Sequence, residues 1–318
     1  MKRLVALVAA MLVAGSAAAQ APYPSKPIRV VIPFGAGSST DVIARILTQS
    51  VSNAIGQPFV IDNKPGADGA IAGTEAAKAP ADGYTLFIGS GSPLAAVPAL
   101  RKNPPYDSVR DFTPITDIGR FTLFMYVNAD VPVRTFQEFI AHAKANPGKL
   151  SYATGNASGI VAFAQMNSLA GIDMLHIPYK SSPQAIVDLV AGRVHAIWEP
   201  PTTALAYVKE GKLRALVTSL KNRSTLLPDV PTIYESGLPQ FSMANWMGLV
   251  GPAKLPPEIV ERVNREFLAA MKRPDVLVAM DRQAFQLNPS TPGEFAQFIK
   301  EQIQSYTQLL RAAGVQPD

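Results

Sequence analysis

The clearest pattern of hydrophobic and polar positions lies between residues 28 and 55. The β-branched run Ile28–Phe34 is typical of a short buried strand. A loop of small residues, Gly35–Asp41, follows it, and the apolar spacing of threes and fours in Val42–Ile55 predicts an amphipathic helix. Gly56 and Pro58 predict the end of that helix. The pattern therefore predicts a strand, a small-residue loop and a helix in succession.

This unit has the features of an anion-binding site. Small residues let the backbone turn sharply, so that several N–H groups can point at one spot. The dipole of the following helix adds partial positive charge at its first turn. Such a site needs neither Arg nor Lys, although the same loop could simply cap the helix.

The same succession recurs along the chain. Phe59–Asn63, Tyr84–Ile88 and Leu150–Thr154 read as strands, and the small-residue loops Gly89–Pro93 and Gly155–Gly159 follow the last two of them. Strands that alternate with helices at this spacing predict a parallel sheet covered by helices on both faces. Because right-handed crossovers bring the carboxyl ends of parallel strands to one edge, we expect the loops to meet there.

A second α/β series follows the first. The mostly apolar segment 112–127 is expected to carry the chain into another domain, and 246–250 to carry it back. Capping boxes at Thr135 with Glu138 and at Thr291 with Glu294 predict the starts of two further helices.

The predicted strand 194–198 ends at Trp198 and runs into Glu199, Pro200 and Pro201. Trp198 has two readings, a core residue or an apolar wall of a ligand pocket. A carboxylate beside an anion site repels the ligand. Glu199 should therefore either turn away, to cap a backbone or pair with a Lys, or contact a positive or hydroxyl group of the ligand. We favour the first arrangement.

Composition indicates an exported protein. Lys2 and Arg3, the apolar run Leu4–Ala14 and the small residues Ala17–Ala19 predict a secretory signal peptide, residues 1–19, which is cleaved after Ala19 to give an exported protein. Without Lys2 and Arg3, 27 basic and 24 acidic side chains remain, dispersed along the chain. This pattern does not favour nucleic acid as a partner. The chain has no Cys, which excludes disulfides and thiol chemistry.

Enzyme signatures are weak. Gly35 and Gly37 after a strand, with Asp62 at the end of the next, form most of a dinucleotide fingerprint, but Thr40 stands at the third glycine position. No G-x-S-x-G elbow or P-loop occurs, and the three histidines lack metal-ligand spacing. We therefore expect no catalytic residue, metal or cofactor.

Several longer segments, in order along nearly the whole chain, match a known family: Tyr23–Phe34, Gly37 with Thr40–Arg45, Asp62–Ala67, Lys78–Leu86, Ile177–Lys180, Gly211–Leu216, and Leu227–Thr232 with Gly237–Pro239. In these segments the chain resembles the Bug-type extracytoplasmic receptors, the substrate-binding proteins of tripartite tricarboxylate transporters. Many relatives carry a double glycine in the first loop, where this chain has Gly37 and Ser38. Relatives often have Asp at the position of Glu199 and a smaller aromatic residue at that of Trp198. For this reason the ligand of a relative does not predict the ligand of this chain.

The resemblance implies an α/β, two-lobed periplasmic binding protein of type II-like architecture, each lobe a mainly parallel sheet flanked by helices. Lobe 1 would comprise residues 20–121 and 246–318, and lobe 2 residues 122–245. The ligand would lie between the lobes. In this family, two strand–helix loops grip a ligand carboxylate through backbone N–H groups, small side chains and water, and these loops correspond to Phe34–Asp41 and Thr154–Ser158.

Together with neighbouring strand ends, the candidate ligand-binding residues are Phe34, Gly35, Ala36, Ser38, Ser39, Thr40, Asp41, Ser90, Ser92, Thr154, Gly155, Asn156, Ala157, Ser158, Tyr179, Trp198, Glu199 and Pro200. The implied function is a monomeric periplasmic receptor that captures a small carboxylate and delivers it to the membrane components of a tripartite tricarboxylate-type transporter. The alternatives are a ligand-sensing receptor that feeds a signalling partner, and a nucleotide-binding enzyme.

Overall fold

The structure is a computed structural model that describes residues 23–317. The predicted signal peptide and its cleavage site lie outside the described residues. Within that range, the strands form two sheets. The first sheet contains β1 (Ile28–Ile32), β2 (Phe59–Asn63), β3 (Thr85–Ser90), β4 (Phe112–Phe121), β10 (Asn245–Pro252) and β11 (Phe285–Leu287). The second contains β5 (Phe124–Asn128), β6 (Ser151–Thr154), β7 (Leu175–Pro178), β8 (Ala196–Glu199) and β9 (Leu213–Thr218).

Each sheet contains both parallel and antiparallel strand pairs, but most of its strands run in the same direction. The order in the first sheet is β11-β4-β10-β3-β1-β2, and β10 and β11 run against the other four strands. The order in the second is β7-β6-β8-β5-β9, and β5 runs against the other four. The expected α/β architecture with two mainly parallel sheets is confirmed.

Helices cover both sheets. They are α1 (Ser39–Ile55), α2 (Ala70–Ala77), α3 (Val97–Leu100), α4 (Phe136–Ala145), α5 (Ala157–Ala170), α6 (Ser182–Val190), α7 (Pro201–Lys209), α8 (Pro257–Ala270), α9 (Pro274–Asp281) and α10 (Pro292–Ala312), with a 3₁₀ turn at Ala67–Gly69 and a π turn at Ser92–Ala96. The predicted capping boxes at Thr135 and Thr291 are present. No helix between residues 23 and 317 is both long and apolar enough to cross a membrane.

The chain crosses between the sheets at two places. The first crossing is Thr122–Leu123, between β4 and β5, and the second is the long connection from β9 to β10. The two crossings are tied together, because the Ser219 N–H donates to the Leu123 carbonyl at 2.9 Å and the Leu123 N–H donates to Ser219 Oγ at 3.1 Å. The first crossing thus falls within the segment 112–127.

The hydrophobic core fills both sheets and the space between them. Residues of both sheets belong to one large buried cluster, which includes Val30 and Leu249 from the first sheet and Met125 and Trp198 from the second. A smaller cluster, which includes Phe124 and Ile197, lies on the other face of the second sheet. The sheets are thus packed against each other, and the strand carboxyl ends that face the gap enclose a cavity.

Candidate functional site

A cavity of about 780 Å³ lies between the two sheets at the carboxyl ends of their strands. This volume is typical of a small-molecule site. Its wall is formed by Pro33–Ala36 and Ser38–Thr40 after β1, Pro65–Gly69 after β2, Ser90 and Phe121 at the ends of β3 and β4, Gly155 and Asn156 after β6, Pro178–Pro183 from the end of β7, Glu199, Pro200 and Thr203 from the end of β8, and Asn245 at the start of β10. Ligands of open α/β sheets bind at this edge.

The first predicted loop is braced from behind by Asp41. The Asp41 carboxylate accepts hydrogen bonds from the Gly37 N–H at 2.9 Å and from Asn63 Nδ2 at 3.0 Å, and it pairs with Arg45 at 2.9 Å. Burial by itself would raise the pKa of Asp41, but the hydrogen bonds from Arg45, the Gly37 N–H and Asn63 outweigh it and lower the pKa. Asp41 is therefore a charged anchor for the loop, and it is absent from the cavity wall.

Ser38 is the N-cap residue of the helix that follows, α1. Its hydroxyl accepts a hydrogen bond from the Asp41 N–H at 3.3 Å, as an N-cap side chain does. The next two residues, Ser39 and Thr40, line the cavity. In the described part of the chain their hydroxyls and N–H groups have no hydrogen-bond partner, and they occupy the first turn of α1, where the helix dipole favours an anion.

The second predicted loop is only partly on the wall. Gly155 and Asn156 line the cavity, and Asn156 Oδ1 caps α5 by accepting from the Gly159 N–H at 3.2 Å. Gly155 lies tightly against the start of α6, so a Cβ at this position would be 2.4 Å from the backbone nitrogen of Ser182. The sequence therefore needs glycine here for close approach.

The other predicted residues of that loop contact neighbouring parts of the protein and do not face the cavity. The Ala157 N–H donates to Ser92 Oγ at 3.2 Å, and Ser92 Oγ in turn donates to the Asp68 carbonyl at 2.9 Å. Ser158 is 1% exposed and lies beside Gly91. Thr154 Oγ1 is 2.7 Å from His176 Nε2. Ser92, Thr154, Ala157 and Ser158 are thus buried against other parts of the protein, and none of them belongs to the cavity wall.

Trp198 does not form the apolar wall that was considered for it. Its side chain is 3% exposed, its ring stacks on Phe241 with centroids 5.6 Å apart, and it is not part of the cavity lining. Successive residues of a strand point to opposite faces of a sheet. Trp198 therefore points into the core while its neighbour Glu199 reaches the cavity.

Glu199 adopts neither form of the favoured arrangement. Among the described residues it caps no backbone and pairs with no Lys; its Oε1 accepts a hydrogen bond from Ser182 Oγ at 2.5 Å. The residue is 5% exposed and its carboxyl contributes to the cavity wall. Burial raises the pKa of Glu199 to about 7, against the opposing effect of the Ser182 hydrogen bond.

Three further predicted residues, Ser90, Tyr179 and Pro200, lie on the wall. The hydroxyl of Tyr179 is engaged outside the cavity, where it donates to Asp188 Oδ2 at 2.8 Å, so Tyr179 offers its ring to the cavity. Ser90 is 2% exposed and its hydroxyl has no hydrogen-bond partner within residues 23–317. Ser90 thus lines the wall, but its hydroxyl is sealed from solvent.

Sequence reasoning missed several wall residues. Pro65–Gly69 could have been found, because this loop also follows a strand at the same edge. Lys180 and Ser182 follow β7 in the same way, and Lys180 places a cation at a site that had been expected to need none. Asn245 carried no such signal, because it begins an antiparallel strand and only the sheet order brings it to the cavity.

Two mixed sheets joined by two crossings, with a cavity between them, define a two-lobed solute-binding protein. The family profile "Tripartite tricarboxylate transporter family receptor" (TctC) matches residues 43–315. The chain belongs to this family, which consists of periplasmic binding receptors that work with tripartite transporters and bind small carboxylates, and which is not a family of enzymes. The resemblance to Bug-type receptors is thereby confirmed.

Individual relatives agree with this assignment. The chain is 35% identical to protein BugT of Bordetella pertussis strain Tohama I over 323 residues, which covers 99% of this chain and 98% of BugT. The structure of Rpa4515 from R. palustris with adipate has a TM-score of 0.89 at 29% identity, covering 93% of this chain and 100% of Rpa4515. MatC from Rhodopseudomonas palustris with bound malate has a TM-score of 0.84 at 28% identity, covering 91% and 100% of the two chains.

Proposed function

We propose that this receptor captures a small carboxylate between lobe 1, residues 20–121 and 246–318, and lobe 2, residues 122–245, and delivers it to the membrane components of a tripartite tricarboxylate-type transporter. The observation that carries the proposal is the position of Ser39 and Thr40. Their free hydroxyls and N–H groups meet at the positive end of α1 on the wall of a cavity between the two sheets.

The charges around the cavity support a carboxylate as the ligand. Lys180 lies on the wall and forms no ion pair with any residue between 23 and 317, so it adds attraction for an anion approaching from solvent. Adipate and malate, bound by two structures of similar fold, belong to the same class of ligand. The linked crossings at Leu123 and Ser219 would serve as the hinge when the lobes close.

Export belongs to the same proposal. The receptor would enter the periplasm through a signal peptide cleaved after Ala19 and would act there as a monomer. Intact-mass analysis of periplasmic material should give a chain that begins at Gln20, and size-exclusion chromatography should give one copy per particle.

A thermal-shift screen tests the ligand class. Purified protein is heated with a panel of mono-, di- and tricarboxylates, and with uncharged amides of the same acids as matched controls. An acid at about 100 times its Kd should add about 2.7 kcal/mol of stability, which raises Tm by several degrees. A panel in which the amides stabilise as well as the acids would contradict carboxylate binding. Loss of uptake of the identified acid in cells that lack the transporter's membrane components would support delivery.

A further inference from the structure

Glu199 is a buried acid that the proposed carboxylate grip does not use. It ends β8, is 5% exposed and contributes to the wall of the cavity. A carboxylate has room for about four hydrogen bonds. Within residues 23–317, Glu199 receives one hydrogen bond, from Ser182 Oγ to its Oε1, and no Lys, Arg or His lies within ion-pair distance of it.

The other carboxyl oxygen of Glu199 is left for the contents of the cavity. It has no protein partner in the described part of the chain, and it is not among the polar atoms sealed from solvent. A buried acid without a compensating cation is costly to ionise. In agreement with this, burial raises the pKa of Glu199 to about 7. A hydrogen-bond donor of a bound ligand would compensate this oxygen and favour the ionised carboxylate.

Two parts of the wall have opposite chemistry. The Ser39 and Thr40 hydroxyls, at the first turn of α1, supply donors for a carboxylate. When it is ionised, Glu199 supplies only acceptors, and a second carboxylate at that point would meet a like charge instead of hydrogen-bond donors. A cavity of about 780 Å³ can hold a molecule that reaches both parts.

We propose that Glu199, held by Ser182, is a specificity-determining residue that accepts a hydrogen bond from a hydroxyl or ammonium group of the ligand. The solute is then a hydroxy- or amino-substituted carboxylic acid. This inference rests on the proposed function, and it selects one class among the carboxylates. Ser182 is a positioning residue, because it orients the Glu199 carboxyl through its own hydrogen bond and Gly155 packs directly against it.

Calorimetry with matched acids tests the inference. The probes are succinate, malate and aspartate, and the longer series glutarate, 2-hydroxyglutarate and glutamate, so that each trio differs only in the substituent. At least one substituted acid should bind the wild-type protein ten-fold or more tightly than its plain parent. Glu199→Met, which keeps the size of the side chain but accepts no strong hydrogen bond, should reduce this preference to three-fold or less without weakening the plain acid.

Glu199→Gln separates the two donors and also serves if Glu199→Met does not fold. Its amide oxygen still accepts from a hydroxyl but provides no charge for an ammonium group, so a preference for the hydroxy acid should survive and one for the amino acid should fall at least ten-fold. Glu210→Gln is the matched control, since Glu210 is exposed and pairs with Lys212 at the surface. This control should leave every affinity unchanged.

The outcomes separate the inference from the proposed function. Plain diacids that bind the wild-type protein as tightly as their substituted forms would overturn the role of Glu199 and leave the carboxylate receptor intact. An unchanged preference in both Glu199 variants would do the same. If none of the acids binds, the proposed function fails, and this inference fails with it.

Discussion

The two loops expected to grip a ligand together have the same local architecture but different surroundings. The first loop, Phe34–Asp41, presents almost all of its residues to the cavity, and Asp41 braces it from behind. The second, Thr154–Ser158, presents only Gly155 and Asn156, while the N–H of Ala157 is hydrogen-bonded to Ser92, which follows β3 of the first sheet. Similar strand–loop–helix sequences can thus serve as a cavity wall in one lobe and as a contact between lobes in the other.

The largest expected difference between the loops is in how much stability is lost when the first glycine, Gly35 or Gly155, is replaced by alanine. In Gly155→Ala the new Cβ would lie 2.4 Å from the backbone nitrogen of Ser182, which no rotamer can relieve. We expect a loss of about 3 kcal/mol in the free energy of unfolding, as for a strongly overpacked core. The matched change Gly35→Ala meets no atom within 4 Å and should cost less than about 0.5 kcal/mol. Urea denaturation of both variants checks this, and equal losses would contradict the difference between the loops.

Asp41→Asn removes the charge that braces the first loop. Asn can still accept the Gly37 N–H, but it loses the ion pair with Arg45, so unfolding should be easier by about 1–3 kcal/mol at neutral pH. Because the pKa of Asp41 is lowered in the fold, its contribution is present above the ordinary value of 3.8 and is lost as the pH falls below it. The difference between variant and wild type should therefore shrink in acid.

Denaturation curves from neutral pH down to about pH 3 follow this change. Asp275→Asn is the control, because Asp275 is exposed and, between residues 23 and 317, forms its ion pair with the neighbouring Arg273. A difference between Asp41→Asn and wild type that stays constant over the whole range would argue against a charged brace.

The smallest expected effects come from removing single hydroxyl groups, and they distinguish residues that bind the ligand from a residue that joins the two lobes. Ser39→Ala and Thr40→Ala should each weaken the binding of a carboxylate roughly ten-fold, since a hydrogen bond to a charged acceptor contributes about 1.5–3 kcal/mol. Ser92→Ala, which removes the acceptor of the Ala157 N–H, should instead reduce stability by about 1 kcal/mol and change affinity less than three-fold. Calorimetry and denaturation on the same three proteins measure both quantities. A Ser92 variant that loses as much affinity as the Ser39 variant would place both loops on the ligand.

The sequence alone predicts the local units well, because their causes are local. The β-branched run before Gly35 forms β1, the spacing after it forms α1, and Thr135 and Thr291 cap helices as expected. Gly37 adopts a φ of 79°, which only glycine takes readily. Ser38, where many relatives have a second glycine, has an ordinary φ of −66° and uses its hydroxyl as a cap, so the missing glycine is no defect.

Only the tertiary structure decided which groups face the cavity. Local patterns bring a loop to the edge of its sheet, but the packing of one sheet against the other determines which side of that loop is covered. For this reason Ser92, Ala157 and Ser158 are buried between the sheets, and Asn245 reaches the wall from a distant, antiparallel strand. Trp198 and Glu199 are neighbours on β8, so their side chains lie on opposite faces of the sheet. The indole of Trp198 packs in the core, and the carboxyl of Glu199 lies on the cavity wall.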